Sequence, residues 1–385
     1  METVKIGIIG IGNMGSSHAN CIYKNEVEGL TLTAVADIDE NRLKWAEEQF
    51  PEVARFSTAE DMIENGDIDA VIIAVPHYFH PVYAIRAFEK GLHVMCEKPA
   101  GVYTKAVREM NEEAEKSGLV FGMMFNQRTN CLYRKMRELV QSGELGEIKR
   151  TNWIITDWYR CQSYYDSGSW RATWDGEGGG VLLNQCPHNL DLWQWICGMP
   201  KKVTAFCHNG KWHNIEVEDD VTAYVEYENG ATGVFVTTTA DAPGTNRFEI
   251  TLDRGKLLCE NGKLSLFRLD VSEKEHRYSC PYGFSAPGGK WEDIETDGEN
   301  PQHKGVLKAF AGAILHGTPL VAEGYEGING LTLSNAMHLS SWTNKTVELP
   351  IDEDLFLSKL NELRKTSVHK SVEAVHFDTE GTYGS

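Results

Sequence analysis

Six residues, Gly10-Ile11-Gly12-Asn13-Met14-Gly15, follow directly on an apolar run, Val4 to Ile9, with their glycines spaced G-x-G-x-x-G. In such a turn the first glycine permits a tight reversal, the second lets backbone approach a pyrophosphate, and the third lets the next helix pack on the strand. The phosphate charge then rests on the helix N-terminus. Asp37 ends a second apolar run, Leu30 to Ala36, about 20 residues beyond the glycines, where a carboxylate accepts from a ribose 2′-hydroxyl and repels a 2′-phosphate. Two further places carry groups suited to proton and charge handling. Lys98 closes the run Val94-Met95-Cys96-Glu97-Lys98-Pro99-Ala100, bringing a cation to the end of a buried-looking strand. Asn184, His188 and Asp191 stand at i, i+4 and i+7, one face of a helix if Asn184 to Trp195 is helical, and an imidazole there would titrate near neutrality.

The elements that must position these groups alternate. Apolar strands Val4 to Ile9, Leu30 to Ala36, Ala70 to Val75, His93 to Cys96 and Leu119 to Phe125 are separated by helical stretches at Ser16 to Lys24, Pro81 to Lys90 and Thr104 to Lys116. Ser57-Thr58-Ala59-Glu60 has the form of a capping box, and Gly118 is a helix stop. This alternation implies an α/β Rossmann domain with a doubly wound parallel sheet. Ligands of such sheets bind outside the carboxyl ends of the strands, so three segments converge on one crevice. They are the glycine loop, residues 75–80 and Glu97-Lys98-Pro99. The expected cofactor contacts are Gly10, Gly12, Asn13, Met14, Gly15, Asp37, Ile38, Ala74, Val75, Pro76, His77, His80, Glu97, Lys98 and Asn126. Plainer readings exist. An aspartate after a strand also serves as a helix cap, a duty that Asp39 could take, and Lys98 alone reads as a solvated strand end.

At Glu147 the texture changes. Ile148 to Thr156, Lys202 to Cys207, Val221 to Glu228, Ala231 to Thr239, Phe248 to Asp253 and Leu264 to Leu269 read as strands joined by turns such as Glu228-Asn229-Gly230, which implies antiparallel pairing. Two domains are expected, 1–125 for the dinucleotide and 126–385 for substrate binding and oligomerisation. The second is an α/β domain with a large, mainly antiparallel sheet and late helices at Lys304 to Leu315 and Gly327 to Ser341, expected to pack back on the sheet.

Charge narrows the partners. With Lys+Arg 37 against Asp+Glu 56, the net charge is −19, which repels phosphate backbones and anionic headgroups and disfavours nucleic acid and membranes. The N-terminus has no basic leader and no apolar run reaches membrane-spanning length, so a cytoplasmic protein is expected. The nine cysteines are odd in number and contain no Cys-x-x-Cys pair, which reads as reduced thiols. Cys186 with His188, and His77 with His80, lack the usual paired-ligand spacing, so no metal site is expected.

The loop Gly10-Ile11-Gly12-Asn13-Met14-Gly15-Ser16-Ser17-His18, the triplet Glu97-Lys98-Pro99, and Gly178-Gly179-Gly180 followed by His188 and Asp191 resemble, in order and spacing, the motifs of the glucose-fructose oxidoreductase, inositol dehydrogenase and MocA family. The resemblance runs from Lys5 to about Pro350 and implies the two-domain fold above, an NAD cofactor with NADP less favoured, and a homodimer or homotetramer. It implies that Lys98 meets both nicotinamide ribose and substrate hydroxyl, and that a cis bond precedes Pro99. In that reading His188 takes the hydroxyl proton as hydride leaves the same carbon, and Lys98 stabilises the developing alkoxide. Asn184 stands where relatives carry an aspartate, and would orient His188 by its amide alone. The expected substrate is a sugar, glycoside or cyclitol, held by Lys98, Arg128, Asp157, Trp170, Arg171, Asn184 and His188, with Trp153 and Tyr159 as further sugar contacts. Two alternatives share the scaffold: a glycoside-cleaving enzyme that oxidises transiently and eliminates, and a noncatalytic dinucleotide-binding regulator. The polar stripe itself could be a solvated helix face, and His188 a hydrogen-bonded core residue.

Overall fold

The computed structural model describes residues 2–368; the tail from Ser371 to Ser385 lies outside them. Six strands, β1 (Val4–Ile9), β2 (Leu30–Ala36), β3 (Ala54–Phe56), β4 (Ala70–Ile73), β5 (His93–Cys96) and β6 (Phe121–Met123), form a parallel sheet ordered β3-β2-β1-β4-β5-β6. Ile6, Ile8 and all of Ala70 to Ile73 are fully buried, as expected where helices cover both faces of a parallel sheet. The strand order reverses between β1 and β4, so the chain leaving Ile9 and the chain leaving Ile73 diverge and open a crevice. β4 and β6 are shorter than their apolar runs, because the chain beyond Ile73 and beyond Met123 leaves the ladder as crevice loops. Asp39 caps the helix Glu40–Gln49 through the Asn41 N–H. Thr58 caps Ala59–Asn65 through the Asp61 N–H, in place of the box that Ser57 and Glu60 suggested.

The second sheet is mixed. Its nine strands are β7 (Ile148–Ile155), β8 (Lys202–Asn209), β9 (Glu218–Glu226), β10 (Thr232–Thr238), β11 (Asn246–Leu252), β12 (Gly255–Glu260), β13 (Lys263–Leu269), β14 (Gly289–Asp293) and β15 (Val347–Glu348), in the order β14-β13-β12-β11-β7-β10-β9-β8-β15. β7 and β10 pair in parallel, while the other pairings are antiparallel. β12 escaped sequence reading, although its hairpin with β13 turns at Asn261-Gly262, both with positive φ (52° and 69°), the signature of a two-residue hairpin turn. Alternation along the strands buries Trp153, Ala223, Phe235 and Phe248 on one face. Trp153 stacks on Phe248 with ring centroids 4.2 Å apart, so it is a core residue and not the sugar contact its type suggested.

The late helices part company. Gln302–His316 returns to the first sheet, where Val306, Leu307, Phe310 and Ala311 bury with Ile6 and Ile8. Gly327–Thr343 instead lies against β8 and the helix Pro187–Cys197. Among the described residues no helix is long and apolar enough to cross a membrane.

Candidate active site

The glycine loop is shaped for close approach by a ligand. Gly10 has φ +86°, and a Cβ there would lie 2.7 Å from the Ala74 carbonyl. A Cβ on Gly15 would fall 1.8 Å from the Gly10 carbonyl, whereas one on Gly12 would meet nothing within 4 Å. The outer glycines are thus demanded by backbone packing, and the middle one faces open space. No side chain caps the helix Asn13–Tyr23 that follows, which suits an N-terminus built for phosphate. Asp37 accepts from the Ile11 N–H at 2.8 Å and the Asp39 N–H at 2.9 Å, so its carboxylate is fixed at the mouth of this loop. Helix capping falls to Asp39. Ile38 beside it is exposed, an apolar side chain at the rim. Arg42 donates to the Ile11 carbonyl at 2.7 Å and lies over Trp45.

Behind the loop lies a pair that sequence reading missed. His18 and Glu97 are both buried, with Nε2 and Oε1 2.7 Å apart. Burial opposes charge on His18, but hydrogen bonds to Cys21 and Glu97 and the Glu97 charge outweigh it and raise its pKa to about 9. Burial likewise opposes charge on Glu97, and His18 holds it down at about 2. The pair joins the glycine-loop helix to the strand end that carries Lys98. The available signal was His18 on the buried helical face with Gly15, Ala19 and Ile22. Raised above its unfolded value, His18 adds stability that is complete below about pH 6.5 and lost as pH rises through about 9; Glu97 adds stability complete above about pH 4.5 and lost as pH falls through about 2. Glu97→Gln is therefore expected to cost about 3 kcal/mol in urea unfolding between about pH 4.5 and 6.5, with the deficit shrinking toward pH 9. A deficit constant across that range would show that the pair is not ionised.

His80 bolts two crevice loops together, its ring nitrogens 2.7 Å from the Pro99 and Val75 carbonyls. The Lys98-Pro99 bond is cis, as the resemblance implied. Lys98 is half-buried and donates from Nζ to the Asn184 main-chain oxygen at 3.3 Å. Its pKa is lowered, chiefly by burial; Glu97 and Glu177 oppose the shift, and Arg160 and Arg171 add to it. His188 is buried edge-on to Phe125, with ring centroids 6.3 Å apart. Burial and then the Lys98 and His303 charges hold its pKa well below the ordinary value, so it is neutral at pH 7 and able to take a proton. His77, its pKa also well lowered by burial, lies 6.4 Å from the Trp170 ring. His188, Asn126, Asp157, Asn189 and Asn246 line a common cavity.

The polar stripe is broken up by the fold. The helix starts at Pro187, leaving Asn184 in the preceding turn, where its amide donates to Glu177 and its oxygen lies 3.3 Å from the Tyr164 hydroxyl. Asn184 therefore serves Lys98 through its main chain and Glu177 through its side chain, rather than forming a helical stripe with His188. Asp191 faces away, toward Arg128. Arg128, expected to meet substrate, is instead buried, giving Nε and Nη2 to Asp191 at 2.8 and 2.7 Å and Nη1 to Glu326 at 2.5 Å. Every nitrogen of its fork is committed to a carboxylate, because an arginine this deep requires counter-charges. Tyr159 is half exposed. Glu177, Tyr164 and Gln185, none of them singled out by the sequence, complete the wall around Asn184.

Residues 4–125 match the oxidoreductase family with the NAD-binding Rossmann fold, and residues 133–258 match the GFO/IDH/MocA C-terminal domain. The chain belongs to the GFO/IDH/MocA oxidoreductase family. It is 27% identical over 240 residues to inositol 2-dehydrogenase of Corynebacterium glutamicum, a match covering 60% of this chain and 65% of that one. The match therefore spans less than two thirds of that relative's length. To myo-inositol 2-dehydrogenase of Thermotoga maritima it is 23% identical over 356 residues, covering 90% of this chain and 98% of that one. Among solved structures, the WlbA dehydrogenase of Chromobacterium violaceum in complex with NADH and UDP-GlcNAcA superposes with a TM-score of 0.76 at 26% identity, covering 91% of this chain and 97% of that one.

Proposed function

We propose that this chain is an NAD(H)-dependent oxidoreductase acting on a secondary hydroxyl or keto group of a sugar, glycoside or cyclitol. The observation that carries the reading is where unsatisfied polarity collects. Of the nine buried side-chain polar atoms without a hydrogen-bond partner among the described residues, five belong to this crevice: His77 Nδ1, Asn126 Oδ1, Arg171 Nε, Gln185 Oε1 and His188 Nδ1. Buried polar atoms are rarely left unpaired, and a bound ligand, an ion or ordered water is what completes them. The names of the relatives, cyclitol and sugar-nucleotide dehydrogenases, support the same substrate class.

The glycine loop with Asp37, Ile38 and residues 74–80 would hold the dinucleotide, and the bound nicotinamide supplies the hydride acceptor. Neutral His188 takes the hydroxyl proton on a ring nitrogen. Lys98, steered by the Asn184 carbonyl, steadies the alkoxide by its charge. Trp170, Arg171, Asp157 and Asn184 shape the sugar side. A panel of sugars, inositols and glycosides assayed for NADH formation tests the reading, and NADH must accumulate in proportion to substrate. Product without NADH accumulation would assign the chain to transient oxidation and elimination.

Cofactor choice follows from Asp37. A turnover ratio of at least about tenfold for NAD over NADP is expected, because the fixed carboxylate repels a 2′-phosphate. Asp37→Ala should narrow the ratio, with Arg42 left to receive the phosphate; equal use of both cofactors by the parent would defeat this assignment. Assembly into a homodimer or homotetramer is part of the same reading. Ile154, Phe206 and Tyr224 are exposed on the outer face of the second sheet, the kind of apolar surface a symmetric partner covers.

A further inference from the structure

The sugar side of the crevice is unexpectedly cationic for a chain of net charge −19. Two guanidinium groups lie over one ring: Arg171 Cζ is 4.5 Å and Arg160 Cζ 5.1 Å from the Tyr164 centroid. The Tyr164 hydroxyl accepts from Arg171 Nη1 at 2.8 Å and lies 3.3 Å from Asn184 Oδ1, and the Asn184 main chain in turn holds Lys98 Nζ. Three cations are thus linked through Tyr164 and Asn184.

Counter-charge there is thin. Glu177, 3.8 Å from Arg171, already receives the Ala172 N–H at 2.6 Å and the Asn184 amide. Arg160 Nη1 donates to the Tyr159 carbonyl at 2.9 Å, and among the described residues Arg160 has no carboxylate in ion-pair range. After burial, which lowers the Lys98 pKa most and which Glu97 and Glu177 oppose, both arginines act in the same direction as burial, in keeping with their place near its ammonium. Stacking on Tyr164 and Trp170 would account for the planes of the guanidiniums. It does not account for Arg171 Nε, a buried donor that no atom of the described residues satisfies. Like charges gathered around one side chain repel one another, and an anion placed among them relieves that repulsion while gaining charge-assisted hydrogen bonds.

We propose that Arg160 and Arg171 form an anion-recognition subsite, so that the substrate presented to Lys98 and His188 carries a carboxylate or phosphate on its ring. The placement of the ring beside Lys98 rests on the dehydrogenase reading, whereas the anion site itself can be measured by binding alone.

The test is calorimetry on the full chain with saturating NADH, using D-glucuronate, D-glucose 6-phosphate and methyl β-D-glucopyranoside as probes. At least one anionic probe is expected to bind about tenfold or more tighter than the neutral glycoside, with preference between the two anions separating carboxylate from phosphate. Arg160→Gln and Arg171→Gln should each reduce that ratio to about threefold or less while thermal unfolding stays near that of the parent. Equal affinities, a preference that survives both substitutions, or failure of all three probes to bind would overturn the subsite. Turnover in parallel separates the two claims. Arginine-dependent binding of the anion without NADH formation from any sugar leaves the subsite standing and removes the dehydrogenase reading; efficient oxidation of neutral sugars without anion preference does the reverse.

Discussion

Lys98→Ala and His188→Ala are each expected to lower turnover by about 10²- to 10⁴-fold while leaving NADH binding and the unfolding transition close to those of the parent. The two losses have different origins. His188 is neutral because burial and the neighbouring Lys98 and His303 disfavour a second positive charge, so in the proposed reaction its removal would take away a base already in the required protonation state. Lys98 carries the charge that an alkoxide would meet, and its ammonium is steered by one main-chain oxygen, that of Asn184. Lys98→Ala should also raise the pKa of His188 toward its ordinary value, since one of the charges depressing it is gone. The pH profile of residual activity in Lys98→Ala should therefore move to higher pH. Near-parental turnover in either variant would place the chemistry on other groups, and an unmoved profile would mean that the two side chains are not electrostatically coupled.

Arg128→Met is expected to cost about 3–5 kcal/mol in urea unfolding, because Asp191, almost wholly buried, would be left as an uncompensated charge. The fork of Arg128 clamps three elements: the turn after β6, the helix that carries His188, and the segment entering Gly327–Thr343. Its plane is further packed against Phe125 and Trp195. The companion variant, Arg128→Met with Asp191→Leu, should recover most of the loss, since a buried ion pair replaced by apolar side chains of similar size is often neutral or better. A single-variant cost below about 1 kcal/mol would mean that the clamp does not hold the His188 helix in place.

Much of the first domain was legible because its signals are local. A glycine loop at a strict spacing, apolar runs of strand length and an acid at the end of the second run each report on a few consecutive residues, and the parallel sheet follows from their alternation. Lys98 and His188 were legible only as members of ordered motifs. The second sheet was read less completely. Six of its strands were seen, while β12 was hidden behind a glycine start and β14 and β15 gain their pairing only from partners elsewhere in the chain.

What the sequence determined by itself was the frame of one side of the crevice: the glycine loop, the strand end at Asp37, and the strand end that delivers Lys98. The tertiary structure decided the roles of polar residues whose neighbours are distant in the chain. Arg128 meets Asp191 63 residues away, His18 meets Glu97 79 residues away, and Asn184 holds Lys98 across 86. Residue type and spacing cannot distinguish an arginine that binds a ligand from one that neutralises a buried carboxylate. The distinction lies in which charge arrives opposite it once the chain has packed, since a buried ion is stable only with a partner and that partner is supplied by the fold.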